Sequence, residues 1–128
     1  MDQANDLLRQ FADEGSQAAF TELVRLKVDL VFAAALRQTG GDAHLAEDVT
    51  QGVFAALATR AASLKRHPAL VGWLFTTTLH FALRATHKQR RWQRREQEAV
   101  TMSIHGKEET PAWDELRPVI DEAIHELA

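Results

Sequence analysis

Apolar residues recur at three- and four-residue steps along most of the chain, and nowhere do polar and apolar residues alternate between hairpin turn signals. That periodicity commits the chain to helices. The expected fold is all-α: a compact bundle of three long helices plus a short N-terminal helix, with a C-terminal helix after a linker. A length of 128 residues suits one hydrophobic core, which is comfortable at roughly 100 to 150 residues. Apolar residues make up 45% and charged residues 26%, a globular balance and not that of a disordered chain.

Local chemistry sets the element boundaries. A first helix is expected over about 3–12, with Leu7, Leu8 and Phe11 on one side, ending near Gly15. Ser16 then caps a second helix running to about Gln38. Its inward positions are Phe20, Leu23, Val24, Val28, Val31 and Ala35, while Leu26, Leu30 and Leu36 widen the apolar arc, so this helix should be central. Gly40 and Gly41 end it, and Asp42 caps a third helix expected to reach Leu64. After the loop Lys65-Arg66-His67, Pro68 suits the first turn of a fourth helix, with Leu70, Leu74, Thr78, Phe81 and Ala85 inward, continuing to about Ala99. Residues 100–111 read as a polar linker. A new amphipathic run over 112–128, with Trp113, Leu116, Val119, Ile120, Ile124 and Leu127 on its apolar side, reads as the opening helix of an incomplete second domain.

The net charge of -3 conceals a strong partition. Residues 1–64 carry five Lys/Arg against nine Asp/Glu, residues 65–95 eight against none, and residues 96–128 two against nine. Exclusion of every acid from a stretch with eight bases is the footprint expected of a polyanion contact. Within it Arg84, Lys88, Arg91 and Arg95 recur at three- and four-residue steps, Arg90 and Arg94 broaden the arc, and Trp92 stands among them. Such a row neutralises phosphates, and Trp92 either stacks on an unpaired base or packs under the linker.

Other chemistries find little support. With no cysteine in the chain, disulfides and thiolate metal sites are excluded, and no signal peptide or long uncharged apolar run is present, so a soluble cytoplasmic protein without membrane contact is expected. None of the six histidines lies in a His-Glu-x-x-His spacing, and neither a Gly-rich phosphate loop nor a nucleophile elbow occurs, so no enzyme is expected and no catalytic residue is assigned. His80 and His87, seven apart, lack a nearby carboxylate and read as polar helix residues, so neither metal nor cofactor is expected.

On the third helix His44, Asp48 and Gln51 fall close to one line opposite Leu45, Ala46, Val49, Val53, Phe54, Ala56 and Leu57. Taken alone, this narrow polar stripe is an ordinary solvated face. However, the string Ala46-Glu47-Asp48-Val49-Thr50-Gln51-Gly52-Val53-Phe54 resembles the Ala-Glu-Asp-x-x-Gln-x-x-Phe signature of extracytoplasmic-function sigma factors. Gly72-Trp73-Leu74 and the arginine-rich helix end follow in the family's order. About residues 5–99 resemble its sigma-2 domain, and the run from Trp113 to Leu127 resembles the start of its sigma-4 domain.

The resemblance implies a bacterial transcription initiation factor with domains over 1–99 (sigma-2-like), 100–111 (linker) and 112–128 (first sigma-4-like helix). His44, Glu47, Asp48 and Gln51 would dock on the clamp helices of the RNA polymerase β′ subunit. Lys65, Arg66, His67, His80, Arg84, His87, Lys88, Arg90, Arg91, Trp92, Arg94 and Arg95 would open the minus-ten promoter element and hold its non-template strand. An anti-sigma factor would be a further partner where one exists. Three departures stand out: Gly52 replaces a frequent Glu, His80 and Arg84 stand where many members place Asn and Asp, and a complete sigma-4 helix-turn-helix is absent. Promoter preference therefore does not carry over. Two other readings remain open: a helical adaptor whose basic helix binds an acidic partner, and a double-stranded DNA repressor, for which the basic residues lie along too long a helix.

Overall fold

The computed structural model describes residues 3–98 and 111–127. The described residues form six helices and no strand: α1 (Gln3–Glu14), α2 (Gln17–Gln38), α3 (Ala43–Thr59), α4 (Ala61–Leu64), α5 (Leu70–Glu98) and α6 (Pro111–Leu127). The expected linker at 100–111 lies outside the described residues, apart from Pro111, which opens α6.

Two short corners join the first three helices. Gly15 adopts φ 69°, a region open to glycine at little cost, and donates its N–H to the Phe11 carbonyl at 3.0 Å. The next residue, Ser16, already caps α2 by accepting from the Ala19 N–H at 3.1 Å. At the second corner Gly41 has φ 87° and returns its N–H to Leu36 at 2.9 Å, while the Asp42 carboxylate accepts from the Leu45 N–H at 3.1 Å. Each of these caps contributes about 1 kcal/mol, and each turns the chain sharply enough to lay successive helices side by side.

α2 is the hub, packing against α1, α3, α5 and α6. Phe20, Leu23, Val24, Val28, Val31 and Ala35 point into a core completed by Leu8, Val49, Val53, Phe54, Leu57, Leu70 and Leu74. Phe11 and Phe20 meet with ring centroids 4.6 Å apart. Each large side chain buried here contributes about 1.5 to 3 kcal/mol. Thr50 and Thr78 are buried without loss, since their hydroxyls donate back one turn, to Ala46 at 2.8 Å and to Leu74 at 2.6 Å.

The structure departs from the sequence expectations at four points. α3 does not run to Leu64: Arg60 leaves helical geometry at φ -104° and ψ 18°, and the short α4 swings Ala61 and Leu64 into the core against α1. Pro68 lies in a turn before α5 instead of inside its first turn. Leu26, expected to widen the buried arc of α2, is 40% exposed because it projects from a side that no described helix covers. Leu127, placed on the apolar side of the last helix, is also exposed.

α5 has 29 residues, about 43 Å of helix at 1.5 Å per residue. Its first half packs on α2 and α3, with Leu70, Leu74, Thr78 and Ala82 buried. From His87 to Gln97 every residue is exposed except half-buried Gln89, so the distal turns project past the bundle. α6 packs against the same two helices, α2 and α3, and inserts Ile120, Ala123 and Ile124 into the core.

Candidate functional site

The acid-free segment supplies two separate surfaces, the loop that precedes α5 and the distal half of α5 itself. On distal α5, Arg84, Lys88, Arg90, Arg91, Arg94 and Arg95 are all exposed. Among the described residues no acid pairs with any of them. Six like charges on about three turns of helix repel one another by a few tenths of a kcal/mol per adjacent pair, a cost that a polyanion removes. Arg84 alone has a partner, since its guanidinium lies 4.8 Å from the centroid of the Phe81 ring, an arrangement worth about 0.5 to 1 kcal/mol at an exposed site. His80 and His87 are exposed beside this row. Trp92 continues the line of Phe81 and Ala85 beyond the end of the bundle, and with nothing beneath most of it, it is 48% exposed.

The loop Lys65-Arg66-His67 is held from below. Asn5, buried on α1, donates its side-chain amide to the carbonyls of Lys65 at 3.2 Å and His67 at 3.0 Å. Lys65 Nζ reaches the Asp13 carboxylate at 2.5 Å, and this hydrogen bond is the main reason the Asp13 carboxyl sits below its ordinary range, with the charges of Lys65, Arg9 and Arg66 assisting against partial desolvation. His67 Nδ1 accepts from the Ala69 N–H at 2.9 Å, which closes the turn into α5. Of the three, only Arg66 is exposed, while Lys65 and His67 are half-buried.

The polar stripe of α3 divides into two parts. His44 and Asp48 are exposed and Glu47 is half-buried, so this end of the stripe is open. Gln51, also half-buried, donates its side-chain amide to the carboxylate of Asp121 on α6. Its neighbour Gly52 faces α5, where a Cβ would meet the Phe81 ring at 3.6 Å. Phe81 thus touches α3 with one side and carries Arg84 on another.

Sequence reasoning missed one surface feature. Phe75, Leu79 and Leu83, at four-residue steps along α5, are 37%, 45% and 60% exposed, and seven and eleven positions beyond Leu83 the same line reaches Arg90 and Arg94. Their spacing was visible, but only the packing of Leu70, Leu74 and Phe81 shows that they face outward. Asp121 as a partner for Gln51 and Asn5 as an anchor for the loop were likewise unseen, since these contacts join residues 60, 62 and 70 positions apart. Among the described residues no group of His, Asp and Glu could hold a metal ion, and no helix is long and apolar enough to cross a membrane.

Residues 23–92, from Leu23 on α2 to Trp92 on α5, match the family model described as Sigma-70 region 2. No curated protein and no solved structure gives a significant match.

Proposed function

The chain belongs to the sigma-70 family through its region 2, the part of these transcription initiation factors that engages core RNA polymerase and promoter DNA, and on that premise we propose that it is a sigma factor of the extracytoplasmic-function type. Sigma factors are non-enzymatic, and the chemistry required of this one is recognition. In this reading His44, Glu47, Asp48 and Gln51 dock on the β′ clamp helices in the cytoplasm. The basic loop from Lys65 to His67 and the row on α5 hold the non-template strand of a melted minus-ten element. Residues 112–128 open a sigma-4-like domain after a linker at 100–111.

The observation that carries the DNA assignment is the row of unpaired cations on the projecting half of α5. Phosphates spaced along a single strand can engage such a row, and the exposed face of Trp92 offers a stacking surface worth about 1 to 3 kcal/mol per base. Binding of the full chain to core polymerase, followed by comparison of a promoter carrying an open minus-ten bubble with the same sequence fully paired, tests the reading. Preference for the bubble supports it. Equal binding of both templates removes the melting role.

A second reading draws on the exposed row Phe75, Leu79 and Leu83 running into cations. An amphipathic acidic helix would complement that surface, as a helical adaptor requires. Failure of the chain to bind core polymerase at all would put this reading first.

A further inference from the structure

We propose that α6 is an internal competitor for the polymerase: docked on α2 and α3, it occupies the Gln51 end of the docking stripe and must leave before the stripe can be used in full. The proposal rests on the assignment of that stripe to polymerase binding. Three observations carry it. Ile120 and Ile124 of α6 are 0% and 2% exposed, with Ala123 between them also buried, so α6 fills a groove and does not merely lie on the surface. The helices it packs against most are α2 and α3, the latter being the helix that carries the stripe. Finally, the side-chain amide of Gln51, which would otherwise face the polymerase, is already donated to Asp121.

The latch is built to open. Pro118 sits inside α6, where it returns no N–H to the carbonyl four residues earlier and weakens the helix. The turns after it are shorter than the roughly 12 to 15 residues an isolated helix needs in water. Their helicity therefore depends on docking. A partner that engages the stripe gains the Gln51 amide in place of Asp121. If the closed form outnumbers the open one about tenfold, apparent polymerase affinity falls about tenfold, because only the open fraction is competent.

The test uses the full chain and core polymerase, with affinity read by fluorescence anisotropy. The absence of cysteine allows Gln51→Cys and Asp121→Cys to be bridged by a short bismaleimide, and the same variant with both thiols capped separately is its control. Bridging should weaken polymerase binding at least tenfold relative to the capped form. In the opposite direction, Ile120→Asp with Ile124→Asp should strengthen it several-fold, and Asp121→Ala, which removes only the hydrogen bond, should act in the same sense if the double variant fails to fold. Asp48→Arg combined with Asp121→Ala separates the two claims. If Asp48→Arg weakens binding there while bridging and release change nothing, the latch is wrong and the docking stripe stands. If Asp48→Arg has no effect, the stripe is wrong and the latch has no such client.

Discussion

The side-chain amide of Asn5 donates to the main-chain carbonyl of His67 at 3.0 Å, joining positions 62 apart in the chain. Together with the bond to the Lys65 carbonyl, it makes α1, which lies outside the matched region, the support of the basic loop. Asn5→Leu removes both donors and leaves two carbonyls without them. The domain should lose about 1 to 3 kcal/mol, and amides around 65–69 should exchange faster with solvent. Unchanged exchange in the loop would mean that α1 does not hold it.

Gly52 lies in mid-helix with ordinary helical geometry, and an added Cβ would meet the Phe81 ring at 3.6 Å, a normal contact distance. Gly52→Ala should therefore stabilise the domain by up to about 1 kcal/mol in urea unfolding, through reduced freedom of the unfolded chain. A loss of stability would show that Phe81 cannot accommodate the methyl group.

Asp48 is exposed and has no structural partner among the described residues, so Asp48→Arg should leave the melting temperature unchanged. In the proposed docking it turns an opposed charge pair into a like-charge contact, and polymerase binding should weaken by about 1 kcal/mol or more. Equal affinity of variant and parent would move the docking face elsewhere.

Arg91 is exposed in the middle of the α5 row. Arg91→Ala should lower affinity of the polymerase complex for both bubble and duplex, and reduce the slope of log affinity against log salt by about 0.7 to 0.9, the increment for one phosphate contact. An unaltered slope would remove Arg91 from the phosphate-binding set.

Asp13 should titrate below its ordinary value of 3.8, chiefly because Lys65 donates a hydrogen bond to it. A carboxyl depressed in the folded state stabilises the fold above its unfolded value and loses that contribution as pH falls through the folded one. The tie between α1 and the basic loop is thus intact at neutral pH and weakens only in strong acid. Carboxyl NMR should give a low midpoint for Asp13, and Lys65→Met should move it back up. Identical midpoints in both proteins would mean that the pair is not formed in solution.

How far these features were legible in the sequence follows from the range of the forces involved. Ser16 and Asp42 act on N–H groups three residues away, so both caps and the corners at Gly15 and Gly41 could be read directly. The inward faces of α2, α3 and α5 were readable because burial repeats with the helical period, and Phe20, Val31, Val49, Val53 and Leu74 are all buried. Nothing local marks the break at Arg60, where apolar spacing continues without Gly or Pro; contact of Ala61 and Leu64 with the core decides it. Leu26 misled for the converse reason, since an apolar residue near the buried arc stays exposed when no neighbour covers it. The amphipathic pattern of α6 announced an apolar face but not the groove that receives it. Likewise, the acid-free stretch and the family resemblance marked Lys65 for DNA contact, whereas its position beside Asp13 depends on how α1 returns across the bundle.

The distal turns of α5 are held by little besides their own main-chain hydrogen bonds. Segments without tertiary contacts open locally at a small fraction of the global unfolding free energy, and crowded positive charge lowers that threshold further. Each of the arginines there is also a tryptic cleavage site. Limited digestion will therefore sever the chain between Arg84 and Arg95 while the bundle is still folded, and any ligand that lies along this helix will announce itself as protection of those bonds.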